Sequence, residues 1–533
     1  MPTWRYESVL ASGSLLWGGP NGRESLRNSI RNGFLHILVR MVDLPNSRKR
    51  VLSVSCVVLA SMVLISPLSP EAQRQSDGLG ASTKPTVADD ISRMNATPVR
   101  QIWDVPGNEA DAQTGLRALL QEAEAHRLHV SIAGARHSMG GQTIAPDGIR
   151  INMLPLKSMT LNEHMNLLHV EAGALWADVV PYLDRRGRSI EVMQSDNNFT
   201  VGGSLSVNCH GWQYGRPPIA STVESFHLMT ANGTVLRCSR TENKELFSLA
   251  LGGYGLFGII LDADLHVVKN ERLKMEQVVV PLDDAMSLFD RKLHERGTPR
   301  MFFARLNIAP HRMFDDVLIT NFYTEKGDIP KLKKPQLVGL RKMLFRGSVG
   351  SEFGKEVRWQ AETKLAPLLA GTVFSRNQLL NESSGWFLDH SDATTDILHE
   401  YFLPPDMAVP FLKQAKTIIR AHHEDLLNVT VREVQTDNDT FLNYADQPMI
   451  AFVMFFDQRR SVDADQDMGQ MTRELIDVAL RLHGRYYLPY RLHASDNEFR
   501  AAYPQAEDFF RLKRRYDPDN LFENEFYLKY ARP

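Results

Sequence analysis

Cysteine is scarce in this chain. Three in 533 residues (Cys56, Cys209 and Cys238) are too few and too scattered for a disulfide framework or a thiolate metal site, and no metal is expected. An excess of charge of either sign is missing as well. The 61 basic and 63 acidic residues leave a formal charge of -2, without the basic field that drives nucleic-acid binding, so no nucleic-acid partner is expected. No internal period of roughly 20 to 50 residues recurs, which excludes a solenoid or a propeller. Long hydrophobic runs are missing too, with one exception near the N-terminus. What is present in quantity is apolar side chain, 43% of the residues, enough for two globular domains.

The exception is the uncharged stretch 51–66, shorter than the roughly 20 residues that cross a bilayer untilted. Arg48-Lys49-Arg50 stands before it, with Arg27, Arg31 and Arg40 further upstream, and Pro67 and Pro70 follow. That layout is the one of an export signal or a short anchor, with the basic flank kept inside and the globular part sent across. Ser47-Arg48-Lys49-Arg50-Val51-Leu52 resembles a twin-arginine export signal with lysine in the second arginine place, and Met41 is a second candidate start. The expected organisation is a basic tail (1–50), a signal or anchor (51–66), a Pro/Ser/Gly linker (67–95), a first domain (96–272), a second (273–485) and a returning C-terminal segment (486–533). It predicts membrane association and an exported or envelope location.

Helical spacing at Leu116, Leu119, Leu120 and Ala123 precedes a strand at 128–132 and then a glycine loop, Ala133-Gly134-Ala135-Arg136-His137-Ser138. A second glycine loop, Thr200-Val201-Gly202-Gly203 through Asn208, His210 and Gly211, follows later. Two such loops can turn many backbone N–H groups toward one polyanion, with Ser138 and Thr200 adding hydroxyls. Asn232-Gly233 predicts a hairpin. Gly253-Tyr254-Gly255-Leu256-Phe257-Gly258 matches G-x-G-x-x-G, yet a helical pattern precedes it and the strand-like Ile259 to Val267 follows. A dinucleotide fingerprint needs the reverse order, so this segment is read as a turn passing close to a ligand or a strand. The class is α+β, mixed and not doubly wound.

Taken together, these segments resemble the vanillyl-alcohol oxidase type of FAD-binding domain, the PCMH fold, over about residues 96 to 272. The resemblance implies a two-subdomain FAD-binding domain plus a substrate (cap) domain whose antiparallel sheet is flanked by helices. Gly134-Ala135-Arg136-His137-Ser138 looks like the family's pyrophosphate loop, in which His137 stands where a histidine often carries FAD covalently. Arg136 departs from the pattern, since a second glycine is usual there. Either the turn avoids positive φ, or Arg136 bears strain while its guanidinium neutralises phosphate charge. Gly173, the loop from Thr200 to Gly211, and Gly255 to Ile260 match further flavin-contact segments. FAD is therefore the expected cofactor.

In the second domain, Glu400-Tyr401-Phe402-Leu403-Pro404 resembles a strand of sugar-lactone and alditol oxidases whose carboxylate faces the flavin and substrate. Arg432 and Glu433 look like the next strand's arginine and carboxylate. Tyr490, with Arg491 and His493 beside it, stands where relatives carry a lysine near the flavin. Glu400, Arg432, Glu433, Tyr490 and Arg491 are the candidate catalytic set. The resemblance implies an FAD-dependent oxidoreductase that takes a hydride from a CH–OH group of a sugar, lactone, polyol or other alcohol and passes electrons to oxygen or a membrane carrier. It leaves open a lipid-linked sugar as substrate, through similarity to decaprenylphosphoryl-ribose oxidases, and a flavin-binding envelope protein with little turnover.

Overall fold

The computed structural model describes residues 86–531, apart from 334–337, 370, 384, 386–387 and 389–390. The basic tail and the apolar run 51–66 lie outside the described residues. Among the described residues no helix is long and apolar enough to cross a membrane.

Folded structure begins earlier than the linker composition predicts. Thr86–Ala88 pairs antiparallel with Thr97–Val99. Between them Asp90 is buried and accepts hydrogen bonds from Ser92, Asn95 and the Gly141 backbone. A turn held by polar side chains has no hydrophobic period, so its composition reads as linker.

Three sheets make the body. A three-stranded parallel sheet has Ile149–Asn152 between Gln101–Asp104 and Val130–Ala133. Helix Glu109–Ala125 buries the predicted face of Leu116, Leu119, Leu120 and Ala123. Its N-cap Asn108 accepts from the Asp111 N–H, and acidic residues occupy the first turn, which suits the positive end of the helix dipole. The second sheet is antiparallel and centres on Ile259–Lys269, which pairs with Leu167–Glu171 on one side and Val223–Met229 on the other. The hairpin predicted at Asn232-Gly233 joins Val223–Met229 to Val235–Ser239, with Gly233 at φ 78. Helix Lys244–Ala250 lies before the G-x-G-x-x-G segment and strand Ile259–Lys269 after it, so the segment leads into a strand and starts no helix.

The third sheet has eight antiparallel strands, with Asp425–Val434 between Met301–Leu306 and Met449–Arg459, and Thr394–Leu403 next outward. Side chains alternate across it, as the strand period of two requires. Phe303 and Arg305 share one face with Asn428, Thr430, Arg432, Val453 and Phe455; Phe302, Ala304, Val431, Glu433 and Phe452 point to the other. One continuous hydrophobic core runs through both halves of the body. The C-terminal segment closes it: the Val130 N–H donates to Leu521 O, and the Glu523 N–H to Val130 O.

Candidate functional site

A cavity of about 350 Å³ opens between the glycine loops and one face of the eight-stranded sheet. The first wall is Gly134 to Met139, carried by strand Val130–Ala133. Thr200, Gly202 and Gly203 form the second, and Gly255, Gly258 and Ile260 the third. The second, expected as a loop, is the short helix Val201–Ser206 capped by Thr200, and it touches the first: a Cβ on Gly134 would fall 2.0 Å from Thr200 Oγ1, so only glycine permits this approach.

Arg136 adopts φ 61, which resolves the sequence alternatives in favour of the strained one. Its carbonyl accepts the Ile91 N–H at 3.0 Å while the side chain stays exposed. His137 stacks on Phe199 with centroids 4.0 Å apart. Burial of the imidazole lowers its pKa, against the pull of Asp196, and favours the neutral ring. Ser138 Oγ and Thr143 Oγ1 line this cavity, and both are buried without a hydrogen-bond partner. Buried hydroxyls are ordinarily satisfied, so these two orphans are donors awaiting an acceptor. With the glycine walls they fit the pyrophosphate of FAD.

At the other end lies a carboxylate network. Glu400 and His210 are 3% and 4% exposed, and His210 Nε2–H donates to Glu400 Oε1 at 2.5 Å. The Tyr490 hydroxyl donates to Glu400 Oε2 at 3.2 Å. Burial alone would raise the Glu400 carboxyl; the charge and hydrogen bond of His210, with Arg432 and Tyr490, outweigh it and hold the group below its usual range. An ionised carboxylate only accepts, so the shared proton belongs to His210 Nε2. Arg432 donates to Ser195 Oγ at 2.9 Å and to the His210 carbonyl at 3.4 Å.

The cavity gathers Gly134, Ala135, Arg136, His137, Ser138, Thr200, Gly202, Gly203, His210, Gly255, Ile260, Glu400, Arg432 and Tyr490 from the sequence-predicted set. Other members stand elsewhere. Glu433 points to the opposite face of the sheet, where it accepts from the Gly215 N–H and Gln435 and borders a separate apolar cavity. Adjacent strand residues cannot both face one cavity, so Arg432 excludes Glu433. Arg491 turns away and holds Asp465 with two 2.8 Å hydrogen bonds, leaving Tyr490 as the inward residue of that segment. Asn208 braces the second loop through Asp437, Thr440 and the Ala220 N–H. Ala133 and Val201 are core residues. Gly173 and Gly211 serve close packing, since a Cβ there would meet Met153 O at 1.8 Å and Met193 O at 1.9 Å. Phe199, Ser195, Arg305 and Thr430 line the cavity without having been singled out. Arg305 shares a face of strand Met301–Leu306 with Phe303, and the sequence of that strand, MFFARL, does not mark which face is covered.

Residues 106–239 match the FAD binding domain family. Over 455 residues the chain is 23% identical to cytokinin dehydrogenase 9 of Oryza sativa subsp. japonica, covering 81% of this chain and 86% of that protein. It is 36% identical over 137 residues to cytokinin dehydrogenase 2 of Arabidopsis thaliana, covering 26% of this chain and 27% of that one. Over 179 residues it is 28% identical to L-gulonolactone oxidase of Bos taurus, covering 33% of this chain and 40% of the relative. The last two alignments span less than half of each relative.

Proposed function

This chain carries the FAD-binding domain of an FAD-dependent oxidoreductase, and we propose that its reaction is oxidation of a CH–OH group in a sugar, sugar lactone, polyol or related alcohol. The observation that carries the reading is the ionised Glu400, buried in the cavity wall between His210 Nε2–H and the Tyr490 hydroxyl. FAD, when bound, supplies the hydride acceptor. Gly134 to Ser138, Thr200, Gly202, Gly203 and Ile260 would hold it, with His137 as its covalent anchor.

The chain's own share is to orient the alcohol and manage its proton. A substrate hydroxyl donates to the Glu400 carboxylate, the one strong acceptor of that network. The proton then passes to Glu400 as the C–H bond breaks, and His210 Nε2–H stays in place to hold the carboxylate. Tyr490 fixes the second oxygen. Packing of His210 and Tyr490 against Tyr487 and Phe402 keeps water from the carboxylate, which strengthens each hydrogen bond.

A cytokinin as donor is the second reading, favoured by the length over which the chain aligns with cytokinin dehydrogenase 9. The basic flank and apolar run 51–66 support export or membrane attachment, with oxygen or a membrane carrier taking the electrons. Anaerobic mixing of the purified holoenzyme with alditols, aldonolactones, primary alcohols and a cytokinin separates the readings. Bleaching of the flavin absorbance by a hydroxyl compound is expected. Bleaching by the cytokinin alone establishes the second reading, and no bleaching by any compound leaves a flavin-binding role.

A further inference from the structure

The cavity holds a row of hydrogen-bond donors that the alcohol chemistry does not use. Arg305 pairs in register with Thr430 on the next strand, and Arg432 lies two residues further along on the same face. Arg305 Nε and Arg432 Nε are both buried without a hydrogen-bond partner. Thr430 Oγ1 already accepts from the Asn428 amide at 2.9 Å, so its own hydrogen is left to donate.

Charge points the same way. Arg305 and Arg358 share the single carboxylate of Glu362, at 3.0 and 2.9 Å. One positive charge of that trio is uncompensated. Among the described residues Arg432 makes no ion pair, its Nη donors going to neutral oxygens. The Glu400 carboxylate is engaged directly by His210 and Tyr490. A buried N–H left without an acceptor is costly, and an anionic oxygen in the cavity would complete both Nε donors.

We infer that the row Arg305, Thr430 and Arg432 receives an anionic oxygen group of the substrate, so that the alcohol oxidised carries a carboxylate or a phosphate ester. The inference rests on the CH–OH reading and sharpens it: Glu400 takes the reacting hydroxyl, and the row takes the anionic group. Guanidinium donors suit both anions, through paired N–H contacts to two oxygens.

The test is equilibrium binding to the oxidised holoenzyme, followed through perturbation of the flavin absorbance, with sorbitol, gluconate and sorbitol 6-phosphate as probes. At least one of the two anions is expected to bind about tenfold or more tightly than sorbitol, and the tighter one identifies the anion. R305Q should bring that ratio to within about threefold, and T430V, which leaves the Arg305–Glu362 pair in place, should lower it partway. Equal binding of all three probes by the wild type overturns the inference, as does a preference that survives in both variants. Failure of the alcohol reading looks different, because it appears as absence of flavin bleaching whatever the probe's charge.

Discussion

His210 and Glu400 stand 190 residues apart in the chain, and their side chains meet at 2.5 Å, Nε2–H donating to Oε1. One comes from the second glycine-rich segment and the other from strand Thr394–Leu403, so this contact ties that segment to the eight-stranded sheet. His210 Nδ1 is buried with no partner, which leaves the carboxylate as the side chain that hydrogen-bonds the ring.

E400Q should therefore retain FAD and lower the rate of flavin reduction by about 10² to 10⁴, the range for loss of a positioned general base. The pH dependence has a definite sign. A carboxyl held below its usual range stays ionised as pH falls, so flavin reduction in the wild type should show no acid limb from Glu400 between neutrality and about pH 5. Stopped-flow reduction across that range checks both; an acid limb with a midpoint near neutrality would refute the assignment.

E433Q should change kcat/KM less than about twofold, because Glu433 lies on the other face of the sheet and glutamine keeps an oxygen for the Gly215 N–H. Steady-state kinetics on the best substrate decides it. A loss comparable to that of E400Q would place Glu433 back in the site.

R136G should stabilise the apoprotein by about 1 kcal/mol, since glycine adopts φ 61 without the penalty a Cβ brings. The same change should weaken FAD binding by removing a guanidinium beside the phosphate loop. Urea midpoints of the apoprotein and FAD titrations read the two effects separately.

The expected link at His137 is read by acid precipitation: flavin fluorescence stays with the protein in the wild type and washes out in H137A. The neutral ring favoured by burial keeps the lone pair that bonding to the flavin requires. Flavin that washes entirely from the wild type rules out the covalent anchor.

Asp465 holds Arg491 through both oxygens and also faces His493, and these partners outweigh burial to keep its carboxyl well below the usual range. A depressed folded pKa stabilises above the unfolded value and loses that contribution as pH falls. D465N should cost about 2 kcal/mol at neutral pH, and the gap to wild type should narrow below about pH 4. Urea unfolding at three pH values tests it.

Local elements were legible because their causes are local. The face of Leu116, Leu119, Leu120 and Ala123, the Asn232-Gly233 hairpin and the glycine turns each follow from neighbours within a few residues. The candidate site was legible where it is built from one segment, as in Gly134 to Ser138. It was not legible at Glu433 and Arg491, since a charged residue on a strand or loop carries no mark of which face will be covered. Arg305 stayed hidden for the same reason.

By itself the sequence determined the order of helix, strand and glycine loop, the absence of a dinucleotide turn at 253–258, and the residue types able to meet a polyanion. Those depend on backbone sterics and short-range periodicity. Tertiary structure alone decided that Glu400 meets His210, that Arg432 looks inward while Glu433 looks away, and that Arg305 joins Thr430. Such contacts are set by sheet register and by the packing of distant segments on one core, which no local pattern encodes.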